Sequence, residues 1–350
     1  MKDYIRRQVG RVSGQVWLVG AVAALMGTAW ATLTPLFQVP DETAHFAYVQ
    51  YLAETGRMPD GSTDQPPYSS QQELLLQALG TYGVIGRGNN AVPRADSASR
   101  TLLEAADDAP AGNGGGSTTS SSQPPLYYVV SVPAYLLASP LGASAQVRAI
   151  RMTSVLCFAI TAMLCALLVS RLFPSYPWMP TVGGLAVAVA PAPGFIAGGV
   201  TPDNLLDLIA VGLLLAIVAG LRSPSLKAAA IVALVGSLGA LTKLTFAGLL
   251  PAAALAVLII CWRLAKQDGP KEAGKAFAAA LSSALVVAVG YCSWAWLQGR
   301  GLLPTGGIIP DLAGGRDPSV QPPRAPVVRL AALLAACART AGRLRVLPDN

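Results

Sequence analysis

The chain has 350 residues, of which 53% are hydrophobic and only 12% charged, and its mean hydropathy is positive. That balance excludes an ordinary water-soluble domain. The formal charge of +7 does not point to nucleic acid, because the basic residues sit at the ends of apolar runs, where they act as topology signals beside anionic lipid. The five cysteines, Cys157, Cys165, Cys261, Cys292 and Cys337, are scattered through apolar stretches with no C-x-x-C spacing, which excludes a disulfide framework and a zinc knuckle.

In chain order, Lys2, Arg6, Arg7 and Arg11 precede an apolar run from Val16 to about Phe37. The charged start resembles a signal peptide, but the run is long enough to cross a bilayer and reads as a retained anchor. Further runs of spanning length fall near Ile150–Ser170, Pro180–Gly198, Asp203–Leu221, Lys227–Leu241, Leu244–Trp262 and Ala276–Leu297. The expected fold class is therefore all-α, a polytopic transmembrane helical protein of about seven spans. Its parts are a cytoplasmic N-terminus and first helix (1–37), a large extracytoplasmic loop (38–149), six further spans (150–297) and an atypical Gly-, Pro- and Arg-rich tail (298–350). That tail is read as truncated, or as carrying a surface amphipathic helix around Leu330, Leu333, Leu334 and Cys337.

Orientation follows from lysine and arginine. With the N-terminus inside an inner membrane, Arg171, then Arg222 and Lys227, then Arg263, Lys266, Lys271 and Lys275 fall in cytoplasmic connections, while the outer connections hold a single lysine. Leu126–Gly142 is also apolar, but counting it as a span would throw the Arg263–Lys275 loop outside. It is expected to be an interfacial or re-entrant helix, in keeping with Pro133 and with Tyr127, Tyr128 and Tyr135. Within the outer loop, the low-complexity stretch 109–123 (APAGNGGGSTTSSSQ) reads as a flexible linker with no packed role.

The residues richest in chemistry follow the first span, in V-P-D-E-T-A-H-F. Pro40 suits a first helical position, which would put Asp41 and Glu42 in the first turn and His45 on the face of Asp41. Two carboxylates and the sole histidine can deprotonate a hydroxyl or hold a divalent ion such as Mg²⁺, Mn²⁺ or Zn²⁺. The same acids can instead complement a helix N-terminus while His45 packs against Tyr48 or Tyr51. A second acidic site lies in T-P-D-N-L-L-D, where Asp203 heads a span and Asp207 lies one turn deeper. Here the choice is between a functional carboxylate facing a cavity and, respectively, a helix cap and a packing residue. Lys243 in L-T-K-L-T is a lone outer cation, either a phosphate ligand or a lysine snorkelling to headgroups. Gln123 opens Q-P-P-L-Y-Y, a rigid extended step.

The order of these elements, a basic N-terminus, one span, P-D-E-x-x-H-F, Q-P-P-L-Y-Y, an R-x-x-x-x-L span, a P-D-N helix head and an L-T-K step, resembles the GT-C superfamily of membrane glycosyltransferases over residues 1–297. Protein O-mannosyltransferases and aminoarabinose transferases share that plan, and the pattern is nearest to a polytopic bacterial family of unknown function. The resemblance implies transfer of a sugar from a polyprenyl-phosphate donor to an extracytoplasmic acceptor. It implies that Asp41 and Glu42 supply the base or bind the acceptor and that Asp203 assists or holds a metal. The position of Gln123, lysine in some relatives, would engage the lipid phosphate. Because Gln123 carries no charge, Lys243 is the better phosphate ligand, with His45 and Asp207 as further substrate-binding candidates. Two other classes fit the residues: a transporter or flippase, whose charges would include Asp207 and Lys243, and a non-catalytic membrane scaffold.

Overall fold

The computed structural model describes residues 2–61, 65–83 and 97–297, and among these every regular element is helical. The sequence around the tail helix expected at Leu330–Cys337 lies outside the described residues. In chain order the helices are α1 (Lys2–Leu33), α2 (Glu42–Thr55), α3 (Ser70–Ala78), α4 (Ser97–Asp108), α5 (Leu126–Ala138), α6 (Ala143–Leu172), α7 (Met179–Ala188), α8 (Pro191–Ala197), α9 (Asp203–Arg222), α10 (Leu226–Ala240), α11 (Leu250–Gln267) and α12 (Pro270–Leu297).

Among the described residues, five stretches are long and apolar enough to cross a bilayer: Gly14–Leu33, Ala143–Leu172, Asp203–Arg222, Leu244–Gln267 and Pro270–Trp296. The pair α7 and α8 adds a sixth if it counts as one span, but it is bent by 59° at Ala190–Pro191. Proline cannot donate its backbone hydrogen bond and clashes with the preceding turn, which accounts for the break. By length and apolarity the count among the described residues is thus five or six, against about seven from the sequence. The difference is α10, whose 15 residues rise about 22 Å and fall short of a hydrocarbon core of roughly 30 Å by length alone, although α10 runs back beside α9 far enough for Lys243, just past its end, to meet Asp203 at the head of α9.

The described residues form two compact units. The first takes residues 2–30, 154–198 and 202–293. Its interior has two apolar clusters, and small residues set both. In one, Val16, Val19 and Ala23 of α1 meet Phe158, Ala159, Ala162 and Ala166 of α6 together with Ala188 and Ala197. A Cβ on Gly20 would strike the Met163 side chain, and one on Gly184 would strike Val19, so close helix approach depends on these glycines. In the other, Leu213, Val232, Phe246, Val257, Ile260 and Ala276 join α9 through α12, with the Phe246 ring seated against Gly239.

The second unit takes residues 31–61, 65–83, 97–153, 199–201 and 294–297. Its helix α2 is buried along most of its length, from Ala44 to Leu52. The tyrosines of α5 do not lie at an interface as expected: Tyr127, Tyr128 and Tyr135 are fully buried, while Val129, Val130 and Leu137 of the same helix are exposed. The reason is their polar tips, each of which finds a protein partner inside the unit.

The stretch 109–123 is also unlike its expectation. Instead of a free linker it is a packed loop of turns. Gly114 is pressed against the Tyr68 carbonyl so closely that a Cβ has no room, and Gly115 adopts φ +96° beside the Ala47 carbonyl, a conformation glycine allows. The Gly115 amide donates to Pro66 O at 3.0 Å and the Gly61 amide to Gly116 O at 2.9 Å. Composition reports only that such a segment lacks apolar side chains; here absent side chains are what let the backbone dock.

Candidate functional site

Helix α2 begins two residues later than the sequence implies, at Glu42, with Pro40 and Asp41 in the turn before it. Asp41 has φ 57° and ψ 9°, the left-handed region, and its side chain makes no capping hydrogen bond. Only its carbonyl serves the helix, accepting from Ala44 N and His45 N, both at 3.0 Å. The carboxylate is exposed. Helix capping, one of the two roles open to Asp41 from sequence, is therefore not what this side chain does.

Glu42 differs from its neighbour in every respect. It is 1% exposed, and its carboxylate receives Arg151 Nε on Oε1 and Arg151 Nη2 on Oε2, both at 2.7 Å. Val200 N adds a third donor to Oε1 at 3.0 Å. Arg151, itself fully buried in α6, turns its remaining N–H groups on backbone carbonyls: Nη1 on Ala31 O (2.9 Å) and Thr34 O (2.7 Å), Nη2 on Pro35 O (2.8 Å). All five guanidinium donors are used, the condition under which a buried ion pair is tolerated. Charge counting treats Arg151 as a topology signal. The available clue was that an arginine nine residues into an apolar helix needs a buried partner.

His45 lies on the α2 face that meets α5 and the packed loop. Its Nδ1 is 2.9 Å from the Tyr128 hydroxyl and 3.0 Å from Ser120 Oγ. Tyr128 stacks on Tyr48 at 3.6 Å, and Tyr48 reaches the Gln123 carbonyl at 3.5 Å. Gln123 thus comes to the α2–α5 seam through its backbone, while its side-chain Oε1 is buried with no hydrogen-bond partner among the described residues. Tyr127 accepts from Thr201 N at 3.0 Å. Deeper along α2, Gln50 receives Ser69 Oγ at 2.6 Å and donates to Gln71 at 2.8 Å, and Tyr135 donates to Glu54 at 2.8 Å. Burial, reinforced by the Glu54 charge, holds the Tyr135 phenol well above its ordinary range, so it stays a donor.

In the other unit, Asp203 is the first residue of α9 and makes an ion pair with Lys243 at 2.5 Å. Both side chains are partly exposed, at 37% and 24%. Lys243 is therefore not a lone cation. Asp207, one turn on, is an exposed residue of the same helix. The structure thus gathers Glu42 and His45 with Arg151, Tyr128 and Ser120 in one unit, and Asp203 with Lys243 in the other.

Among the described residues, no group of three His, Cys, Asp or Glu side chains is placed to hold a metal ion, and the Glu42 carboxylate is occupied by Arg151.

Five or six helices long and apolar enough to cross a bilayer among the described residues define a polytopic membrane protein. Residues 24–303 match the family described as "Predicted membrane protein (DUF2142)", and the chain belongs to that family. No curated protein and no solved structure matches it.

Proposed function

We propose that the protein is a membrane glycosyltransferase that moves a sugar from a polyprenyl-phosphate-linked donor to an acceptor outside the cytoplasm. The observation that carries this reading is Asp41, an exposed carboxylate at the N-cap of α2 in a left-handed conformation, whose side chain makes no capping bond, beside a glutamate whose charge is fully absorbed. Such a group is free to take a proton. Unusual backbone conformation at a helix head is typical of functional sites.

In this mechanism Asp41 accepts the proton of the acceptor hydroxyl as its oxygen attacks the anomeric carbon from the face opposite the lipid phosphate. The bond from that carbon to the phosphate oxygen breaks, the phosphate leaves with the electron pair, and the sugar is inverted. A phosphate ligand is the role proposed for Lys243, whose ammonium the ion pair with Asp203 keeps at the head of α9. Gln123, with its unpartnered Oε1, accepts from a donor hydroxyl, and His45 keeps the α2–α5 seam in register. The resemblance of the motif order to membrane glycosyltransferases supports the same reading, as does the positive-inside distribution, from which the 38–149 loop is expected outside an inner membrane.

Transport of lipid-linked sugars is the second reading, favoured by Asp207, an exposed carboxylate one turn into an apolar helix. Mass spectrometry of lipid-linked sugars and envelope glycans, with and without the protein, tests both. Accumulation of one donor with loss of one glycan is the expected result. Sugar-lipid crossing reconstituted vesicles without transfer favours transport, and an unchanged profile contradicts both.

A further inference from the structure

We infer that Arg151 is the positioning residue of the site, holding Asp41 in its left-handed conformation through Glu42 and the turn that precedes it; the inference rests on the reading of Asp41 as the reacting carboxylate. The connection from α1 to α2 contains two non-glycine residues at positive φ, Phe37 at 63° and Asp41 at 57°. Residues with a Cβ resist that region, and a bulky one such as Phe37 resists it most. Two such residues within five positions persist only if the surroundings over-determine them.

Arg151 is the common element of those surroundings. Its guanidinium ties Ala31, Thr34 and Pro35, the end of α1 and the start of the turn, to Glu42, the first residue of α2. The strained segment is thus closed at both ends by one planar, five-donor group. Phe37 is pinned in between, 4% exposed and edge-on to Phe46 at 5.7 Å. Asp41 adjoins the clamped glutamate, so its backbone has no slack to relax into a helical cap. The second donor set on Glu42, Val200 N, fixes the carboxylate from a further segment of the same unit. Lysine in place of Arg151 keeps the charge but has three donors on a single nitrogen and cannot span four carbonyl and carboxylate groups.

The test compares Asp41→Gly with Asp41→Ala in the full chain in detergent, following the folded fraction on heating. Glycine accepts the left-handed region and alanine does not, so in the otherwise unaltered protein the glycine variant is favoured by about 5- to 30-fold in the ratio of folded to unfolded chain. In an Arg151→Lys background that preference is expected to vanish or reverse, because a released turn no longer demands positive φ and glycine then costs unfolded-state entropy. Should Arg151→Lys fail to fold, the neutral pair Glu42→Gln with Arg151→Gln replaces it. Transfer measured with lipid-linked sugars extracted from the cell's own membranes gives the second readout. Folded Arg151→Lys should lose about a hundredfold in kcat with donor KM unchanged, as expected for a misplaced reacting group. A glycine preference that persists undiminished in both backgrounds, or is missing from the unaltered chain, overturns the inference. Full transfer by Asp41→Asn overturns the reading of Asp41 instead, and leaves the glycine–alanine comparison to decide the clamp alone.

Discussion

The Arg151 guanidinium meets the Glu42 carboxylate in two parallel contacts of 2.7 Å, with both side chains fully buried and 109 residues apart in sequence. A pair of that kind costs desolvation on both sides, so its presence is weak evidence of net stabilisation, whereas breaking it leaves a buried charge without its partner. Replacing Arg151 by Met is therefore expected to destabilise the protein by about 3–5 kcal/mol. Glu42→Gln with Arg151→Met should lose clearly less than the sum of the two single losses. A double-mutant cycle on thermal unfolding in detergent checks this, and additive losses would contradict a coupled pair.

The packed loop gives a second prediction. Gly114→Ala places a methyl against the Tyr68 carbonyl, a backbone group that cannot rotate away, and should cost about 1–3 kcal/mol. Limited proteolysis between 109 and 123 should accelerate in that variant. Gly112→Ala, whose Cβ would meet only the Glu54 side chain at 3.3 Å, should behave nearly as wild type. Equal proteolysis of the two would mean the loop does not dock through Gly114.

That loop also marks where sequence reasoning stops. The long spans were legible because a bilayer demands unbroken apolar runs, and α1, α6, α9, α11 and α12 meet that demand by themselves. Helix α10 looked the same locally but is shorter than the others, and Pro191 breaks the α7–α8 run. At the site, the acids and His45 stood out as residue types. Their division of labour did not, since it depends on Arg151 and on Tyr128 and Ser120, which are 109, 83 and 75 residues away from their partners. No local pattern tells Asp41 from Glu42; the fold buries one and exposes the other.

Topology is checked by single cysteines in a cysteine-free background. Thr119 and Asp268 are both exposed, one in the packed loop and the other between α11 and α12. Charge asymmetry predicts that Thr119→Cys reacts with an impermeant thiol reagent applied outside and that Asp268→Cys reacts only after the membrane is opened. Labelling of both from one side would contradict the proposed orientation.

Lys243→Met keeps the stem and removes the charge. Because the ion pair with Asp203 is partly exposed, its loss should change stability by no more than about 1 kcal/mol. If the ammonium holds the lipid phosphate before reaction, donor KM rises; if it answers charge on the leaving group, kcat falls. Unchanged kinetics would remove Lys243 from the mechanism.

The most direct measurement of the central claim is transfer by Asp41→Asn. Asparagine tolerates the left-handed backbone and has nearly the same shape, and no capping bond is there to lose, so the folded protein should melt as wild type does. It cannot serve as a base near neutral pH. Transfer from membrane-extracted lipid-linked sugars is expected to fall by at least about a hundredfold. Near-normal turnover with a stability loss of about 1 kcal/mol, the signature of a merely capping aspartate, would contradict the account.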